Sequence, residues 1–301
     1  MELIYSIDGF LQGALQSLHT DGFFGKLWDS FFMACTLLGE EVVFIFAVLY
    51  IYWCYNKRLG ESMMLSLYSS AALNGIIKDL VRRPRPFVNE NYSVRYVETQ
   101  GLVDTVSLKE SYSFPSGHSM NVASMTTAIA IGEKGKKHAR AWLLVCLVCI
   151  PLVMLSRVYL GVHYPTDTLM GAALGVATPF FIIHTYNKFY EKRYYLFAVV
   201  FLVSLSALFF EPTADTIKTL GMGAGALIGF LIESRFIKFD VNGTVLKKTL
   251  RLLIGAAAVL VIKSGLKAVF PDEAFFWALR YFIIGLFGTA VYPYVFTKYK
   301  F

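Results

Sequence analysis

The sequence predicts an all-α fold, a polytopic membrane helix bundle of about nine transmembrane helices led by an amphipathic N-terminal helix, and three observations carry that prediction. Of the 301 residues, 56% are hydrophobic and only 16% charged, with a mean hydropathy of +0.55, where soluble domains run at roughly 25% charged. Apolar runs recur along the whole length, most of them near the roughly 20 residues that cross a bilayer as a helix. The segments that join them separate into a basic set and a more acidic set, as the two sides of a membrane protein do.

Residues 1–20 have neither a basic leader nor a continuous apolar core and so do not resemble a signal peptide. Leu3, Ile7, Phe10, Leu11, Leu15 and Leu18 recur instead at helical spacing. That pattern predicts an amphipathic helix, lying in the membrane interface or packed on the protein's own surface. Apolar runs follow at 28–55, 60–80, 119–131, 141–156, 168–185, 194–210, 217–233, 252–270 and 275–296. The third is short and reaches toward a polar island before it. We expect a core over 1–190, holding the interfacial helix and five spans, and a four-helix transmembrane extension over 191–301. In the extension Gly221, Gly225 and Gly229 form a small-residue ridge at four-residue spacing. Such a ridge lets helices approach closely, within one chain or between two, so a homodimer stays open.

Nine spans put the termini on opposite sides. One set of connecting segments holds Lys57 and Arg58, then 133–140, 187–193, 234–251, and Lys298 with Lys300; the other holds Glu2, Asp8, Asp21, Asp29, the turns at 211–215 and 271–273, and three polar islands. Lys and Arg mark the cytoplasmic side. The islands are therefore expected outside the cytoplasm, in a plasma membrane or, in a eukaryotic cell, on the lumenal face of the endoplasmic reticulum. The net charge of +7 is spent on this topology and on the islands, so no nucleic acid partner is expected. Cys35, Cys54, Cys146 and Cys149 all lie in apolar segments and read as packing thiols, not as a disulfide or zinc framework.

The islands are 78–86 (KDLVRRPRP), 115–118 (PSGH) and 156–167 (SRVYLGVHYPTD), each at an apolar edge. Ionisable groups beside hydrocarbon are costly, so clusters of them mark a site. In the second island Ser116 is an N-cap, and the amides of Gly117 and His118 open a helix whose dipole suits phosphate oxygens. Pro165 starts another helix, and Asp167, four residues after His163, can reach back to one imidazole nitrogen and leave the other free to attack. His118, His163 and Asp167 also have the donor types of a metal site, but Lys78, Arg85 and Arg157 would repel a divalent cation. Arg82 and Arg83 read as interfacial anchors. The long polar segment 82–114 reads as a cap over the site or a plain connector. Glu40 and Glu41, at the edge of an apolar run, either pair with an island cation or mark where a helix begins.

Three cations, two imidazoles and a carboxylate meet the needs of phosphoryl transfer, which is mostly positioning and charge neutralisation. His163 would attack phosphorus, and His118 would protonate the leaving oxygen and then activate water. No metal or other cofactor is needed on this account.

The pattern K-x6-RP at Lys78, Arg85 and Pro86, then PSGH, then SR-x5-H-x3-D at Ser156, Arg157, His163 and Asp167 resembles the type 2 phosphatidic acid phosphatase superfamily. The resemblance implies a metal-independent phosphatase with a phosphohistidine intermediate that acts on lipid phosphates or diphosphates. It implies His163 as nucleophile, His118 as acid and base, Asp167 as its partner, and Lys78, Arg85, Ser116, Gly117 and Arg157 as phosphate ligands. Leu38 to Glu41, followed by Tyr52 and Trp53, is similar to the sphingosine-phosphate phosphatase branch, whereas Gly117 stands where that branch tends to carry Thr. Phosphatidic acid, phosphatidylglycerophosphate, long-chain base phosphates and polyprenyl diphosphates are all candidate substrates. A soluble ester such as a sugar phosphate, or an anion or lipid transporter that keeps the site for binding, is the alternative.

Overall fold

The computed structural model describes residues 2–89, 92, 94–97 and 111–301. About half of the expected cap over 82–114 lies outside them. The helices are α1 (Glu2–Gln16), α2 (Phe23–Leu37), α3 (Glu41–Tyr50), α4 (Lys57–Val81), α5 (Gly117–Gly132), α6 (Ala139–Tyr159), α7 (Pro165–Lys188), α8 (Arg193–Ser204), α9 (Ala214–Ile232), α10 (Val245–Val269), α11 (Ala274–Leu286) and α12 (Tyr292–Tyr299). Their starts follow local chemistry. Ser116, Thr213 and Thr244 each accept the backbone N–H three residues on, which satisfies one of the amides a helix start leaves open.

Among the described residues six helices are long and apolar enough to cross a membrane, at Ala139–Tyr159, Pro165–Lys188, Tyr190–Phe210, Ala214–Ile237, Val245–Val269 and Ala274–Tyr299. Phe23–Leu37 and Glu41–Tyr55, bent by 42° at the Leu38–Gly39–Glu40 break, make a seventh if taken as one. The other two expected spans are helical but of different character. The 25-residue α4 carries Lys57, Arg58, Glu61, Lys78 and Asp79 and buries Ser62, Ser66, Ser70, Asn74 and Lys78, one per turn. With 16 residues, α5 is shorter than a span, and most of it is buried.

The chain divides into two compact units, 1–44 with 77–180, and 45–76 with 181–301. In the first, α1 turns its polar residues inward. Asp8 and Gln12 are fully buried, while Leu3 and Phe10 are among the most exposed large apolar side chains. Leu15 near its end and Leu18 just beyond it pack with Phe32, Val97, Tyr159, Leu160 and Val162.

The second unit is centred on Tyr52, Trp53, Tyr186, Phe197, Phe230, Phe239, Tyr292 and Phe296. Its glycine ridge is spent within the chain. A Cβ at Gly221 or Gly225 would collide with the carbonyls of Ala278 or Phe282 on α11, and one at Gly229 with the Thr289 hydroxyl. Close approach of α9 and α11 thus explains the spacing. All four cysteines are free.

Candidate active site

All eight residues singled out for chemistry or phosphate binding belong to the first unit. Lys78 sits in the last turn of α4, and Arg85 lies on the extended exit that Pro84 and Pro86 impose. Ser116 caps α5, with Gly117 and His118 as its first residues. Arg157 is in the last turn of α6, His163 in the loop that follows, and Asp167 in the first turn of α7. The second and third islands are tied together by the Ser116 N–H, which donates to the Asp167 carbonyl at 3.0 Å.

His163 is buried, with 2% exposure. Arg85 Nη1 lies 3.3 Å from its Nε2 and donates to the Val162 carbonyl at 3.0 Å. A guanidinium can only donate, so Nε2 must be the acceptor and the ring proton sits on Nδ1. Burial, and then the charges of Arg85, Arg157, Lys78 and His118, hold this imidazole well below the ordinary histidine range. The imidazole is therefore neutral, with its Nε2 lone pair toward Arg85.

Asp167 does face Nδ1, at 3.6 Å, but that exceeds a hydrogen bond. Its oxygens are occupied elsewhere. Oδ1 accepts from Arg83 Nη1 at 2.7 Å, and Oδ2 accepts from the Tyr164 N–H at 3.0 Å. Catalytic hydrogen bonds are often long before substrate arrives. Arg83, read as an interfacial anchor, is instead committed to the site, its guanidinium stacked 3.7 Å from the Tyr164 ring.

Arg157 is almost fully enclosed, at 1% exposure, and donates to the Thr36 hydroxyl at 2.8 Å. Its Nε has no hydrogen-bond partner among the described residues. Arg85 also donates to the Ser111 hydroxyl at 2.8 Å. Glu40, which the sequence left between two roles, takes a definite one, its Oε1 lying 3.0 Å from His118 Nε2. Gly39 beside it has no room for a side chain, since a Cβ there would meet the His118 Cβ at 2.9 Å. Thr36, Glu40, Arg83 and Ser111 are thus site residues that spacing alone did not reveal. Among the described residues no three His, Cys, Asp or Glu side chains are grouped as metal ligands.

Two family models match the chain. The PAP2 superfamily model matches residues 59–191, and the model of the PAP2 superfamily phosphatase transmembrane extension matches residues 217–301. A probable sphingosine-1-phosphate phosphatase of Dictyostelium discoideum is 24% identical over 291 residues, covering 84% of this chain and 69% of that protein. Phosphatidylglycerophosphatase B of Bacillus subtilis is 34% identical over 140 residues, 44% of this chain and 61% of that protein. The crystal structure of a transmembrane PAP2-type phosphatidylglycerolphosphate phosphatase from Bacillus subtilis superimposes with a TM-score of 0.47 at 24% identity, covering 63% of this chain and 89% of the other.

Proposed function

We propose, from the premise that this multi-pass membrane protein belongs to the PAP2 superfamily, that it hydrolyses a lipid phosphomonoester or diphosphate through a phosphohistidine on His163, without a metal. The observation that carries this reading is the neutral, buried His163 beside Arg85 and in the field of Arg157 and Lys78. A nucleophile whose lone pair faces cations suits an anionic phosphate ester.

In the proposed reaction the ester's phosphate enters the cations, with Ser116, Gly117 and the amides that open α5 completing its cradle. Burial and then the Arg157 charge hold the His118 imidazole down to a pKa of about 4, so it takes up its proton as the phosphate's negative charge arrives. Nε2 of His163 then donates its lone pair to phosphorus while the bond to the lipid oxygen breaks, and His118 gives that oxygen the proton. The imidazolium so formed carries its Nδ1 proton toward Asp167, which closes the 3.6 Å gap and stabilises the charge. His118, now neutral, takes a proton from water. The resulting hydroxide attacks phosphorus, the P–N bond breaks, and inorganic phosphate leaves with His163 neutral again.

The basic segments on the other set of loops support a site outside the cytoplasm. The exposed apolar face of α1, led by Leu3 and Phe10, supports a helix seated in the lipid interface. Residues 1–190 would hold the chemistry and 191–301 the membrane extension. The similarity to a sphingosine-1-phosphate phosphatase and a phosphatidylglycerophosphatase makes long-chain base phosphate and phosphatidylglycerophosphate the first substrates to try. Phosphate release from these, from short-chain phosphatidic acid, from a prenyl diphosphate and from glucose 6-phosphate, in detergent with EDTA, tests the reading. Turnover of a lipid ester in EDTA supports it. Preference for glucose 6-phosphate would move the substrate to a soluble ester, and no release from any of them would point to a transporter.

A further inference from the structure

The loop that carries His163 is gripped at both ends by one helix remote in sequence. On α1, Asp8, Gln12 and Gln16 lie at four-residue spacing and so share a face. Gln12 donates to the Val158 carbonyl at 3.0 Å, which also accepts the Gly161 N–H, and Gln16 donates to the Tyr159 carbonyl at 2.9 Å, both in the last turn of α6. Asp8 serves the other end. Its Oδ1 accepts the Thr166 N–H at 3.0 Å and its Oδ2 the Thr166 hydroxyl at 2.7 Å, so it caps the start of α7 from outside that helix.

Asp8 also reaches Asp167 by a second route. Arg83 Nη2 donates to Asp8 Oδ2 at 2.7 Å, while its Nη1 donates to Asp167 Oδ1 at 2.7 Å and to Thr166 at 2.8 Å. Both carboxylates are fully buried, and Arg83 is one-tenth exposed. A planar fork that bridges two fixed carboxylates has one orientation available. With Oδ1 so held, Oδ2 is the oxygen left toward His163 Nδ1.

We infer that Asp8 and Arg83 are positioning residues for the nucleophile: through them α1 fixes the Asp167 carboxylate that orients His163 and stabilises its cationic form. The inference rests on the proposed role of His163, and it adds that the N-terminal helix is part of the catalytic apparatus. Neither residue touches substrate. Their effect should therefore fall on turnover and not on affinity.

The test is a steady-state comparison of Asp8→Asn, Arg83→Lys, Asp167→Asn and the double variant Asp8→Asn/Asp167→Asn, in detergent, on whichever lipid phosphate the wild type turns over best. Thermal melting is measured on each, and His163→Ala is the control. Asp8→Asn is expected to lower kcat about 10- to 100-fold, the range for a small misplacement of catalytic groups, with KM changed less than about threefold. Arg83→Lys should do the same, because an ammonium cannot fork to both carboxylates. In the Asp167→Asn background, Asp8→Asn should cost less than about twofold more, since the chain of contacts is already broken. Wild-type kcat in Asp8→Asn would overturn the inference, as would a full multiplicative loss in the double variant. Should Asp8→Asn fold poorly, Arg83→Lys in the same cycle with Asp167→Asn decides by the same criteria. If His163→Ala is itself active, it is the phosphohistidine chemistry that fails.

Discussion

Arg157 in the first unit and Arg193 in the second are both largely buried arginines of one membrane protein, yet they are wired in opposite ways. Arg193 is closed: it donates to Glu61 Oε2 at 3.0 Å, to the Tyr190 carbonyl at 3.1 Å and to the Tyr194 hydroxyl, and Tyr186 completes Glu61 at 2.7 Å. Lys57 and Glu233 repeat the arrangement at 2.6 Å. Arg157 is more enclosed, but its hydrogen bond goes to a neutral hydroxyl. A buried charge that the protein neutralises serves the fold, and one left for an outside anion is a binding device. On the proposed function, Arg193 is held for structure and Arg157 for the substrate's charge.

That contrast can be broken or sharpened by substitution. The largest effect is expected for His163→Ala, which should remove turnover, by at least about 10⁴-fold, while expression and melting stay normal; knocking out a nucleophile costs on that scale or more. The paired arginines test the contrast itself. Arg157→Gln should reduce kcat/KM by about 100-fold or more, as loss of a charge-assisted phosphate contact does, with no loss of melting temperature. Arg193→Gln should do the reverse, costing about 3 kcal/mol of stability by stranding the buried Glu61, with the folded fraction fully active. Equal effects on both measurements would remove the distinction. Asp167→Asn should lower kcat with little change in KM. Smallest is Gly39→Ala, where a methyl would meet the His118 Cβ at 2.9 Å, an atom held by the α5 backbone; a kcat loss of about two- to tenfold with a lowered melting temperature is expected.

Sequence reading reached the three islands because each packs its message into a few residues at a helix end, where cap, proline and charge have local meanings. It reached the helical character of all nine apolar runs for the same reason. It did not reach Asp8 and Arg83, which are 75 residues apart and which each had a local use as a topology acid or an interfacial anchor. Nor could it choose a role for Glu40, since the partner, His118, lies 78 positions on. The character of two of the nine runs was not legible, because periodicity marks an apolar helix but not the polar face that α4 buries or the 16-residue length of α5. The glycine ridge was legible as a ridge, and only the packing of α9 on α11 tells which helix it meets.

One measurement bears most directly on the central claim, that His163 is a neutral nucleophile waiting for phosphate. Purified protein in detergent with EDTA is mixed with ³²P-labelled lipid phosphate and quenched within milliseconds in alkali, which preserves phosphohistidine. The account predicts label that approaches one per chain, maps to His163, decays at the turnover rate and is absent from His163→Ala. Turnover without label on His163, or turnover that stops in EDTA, would contradict it.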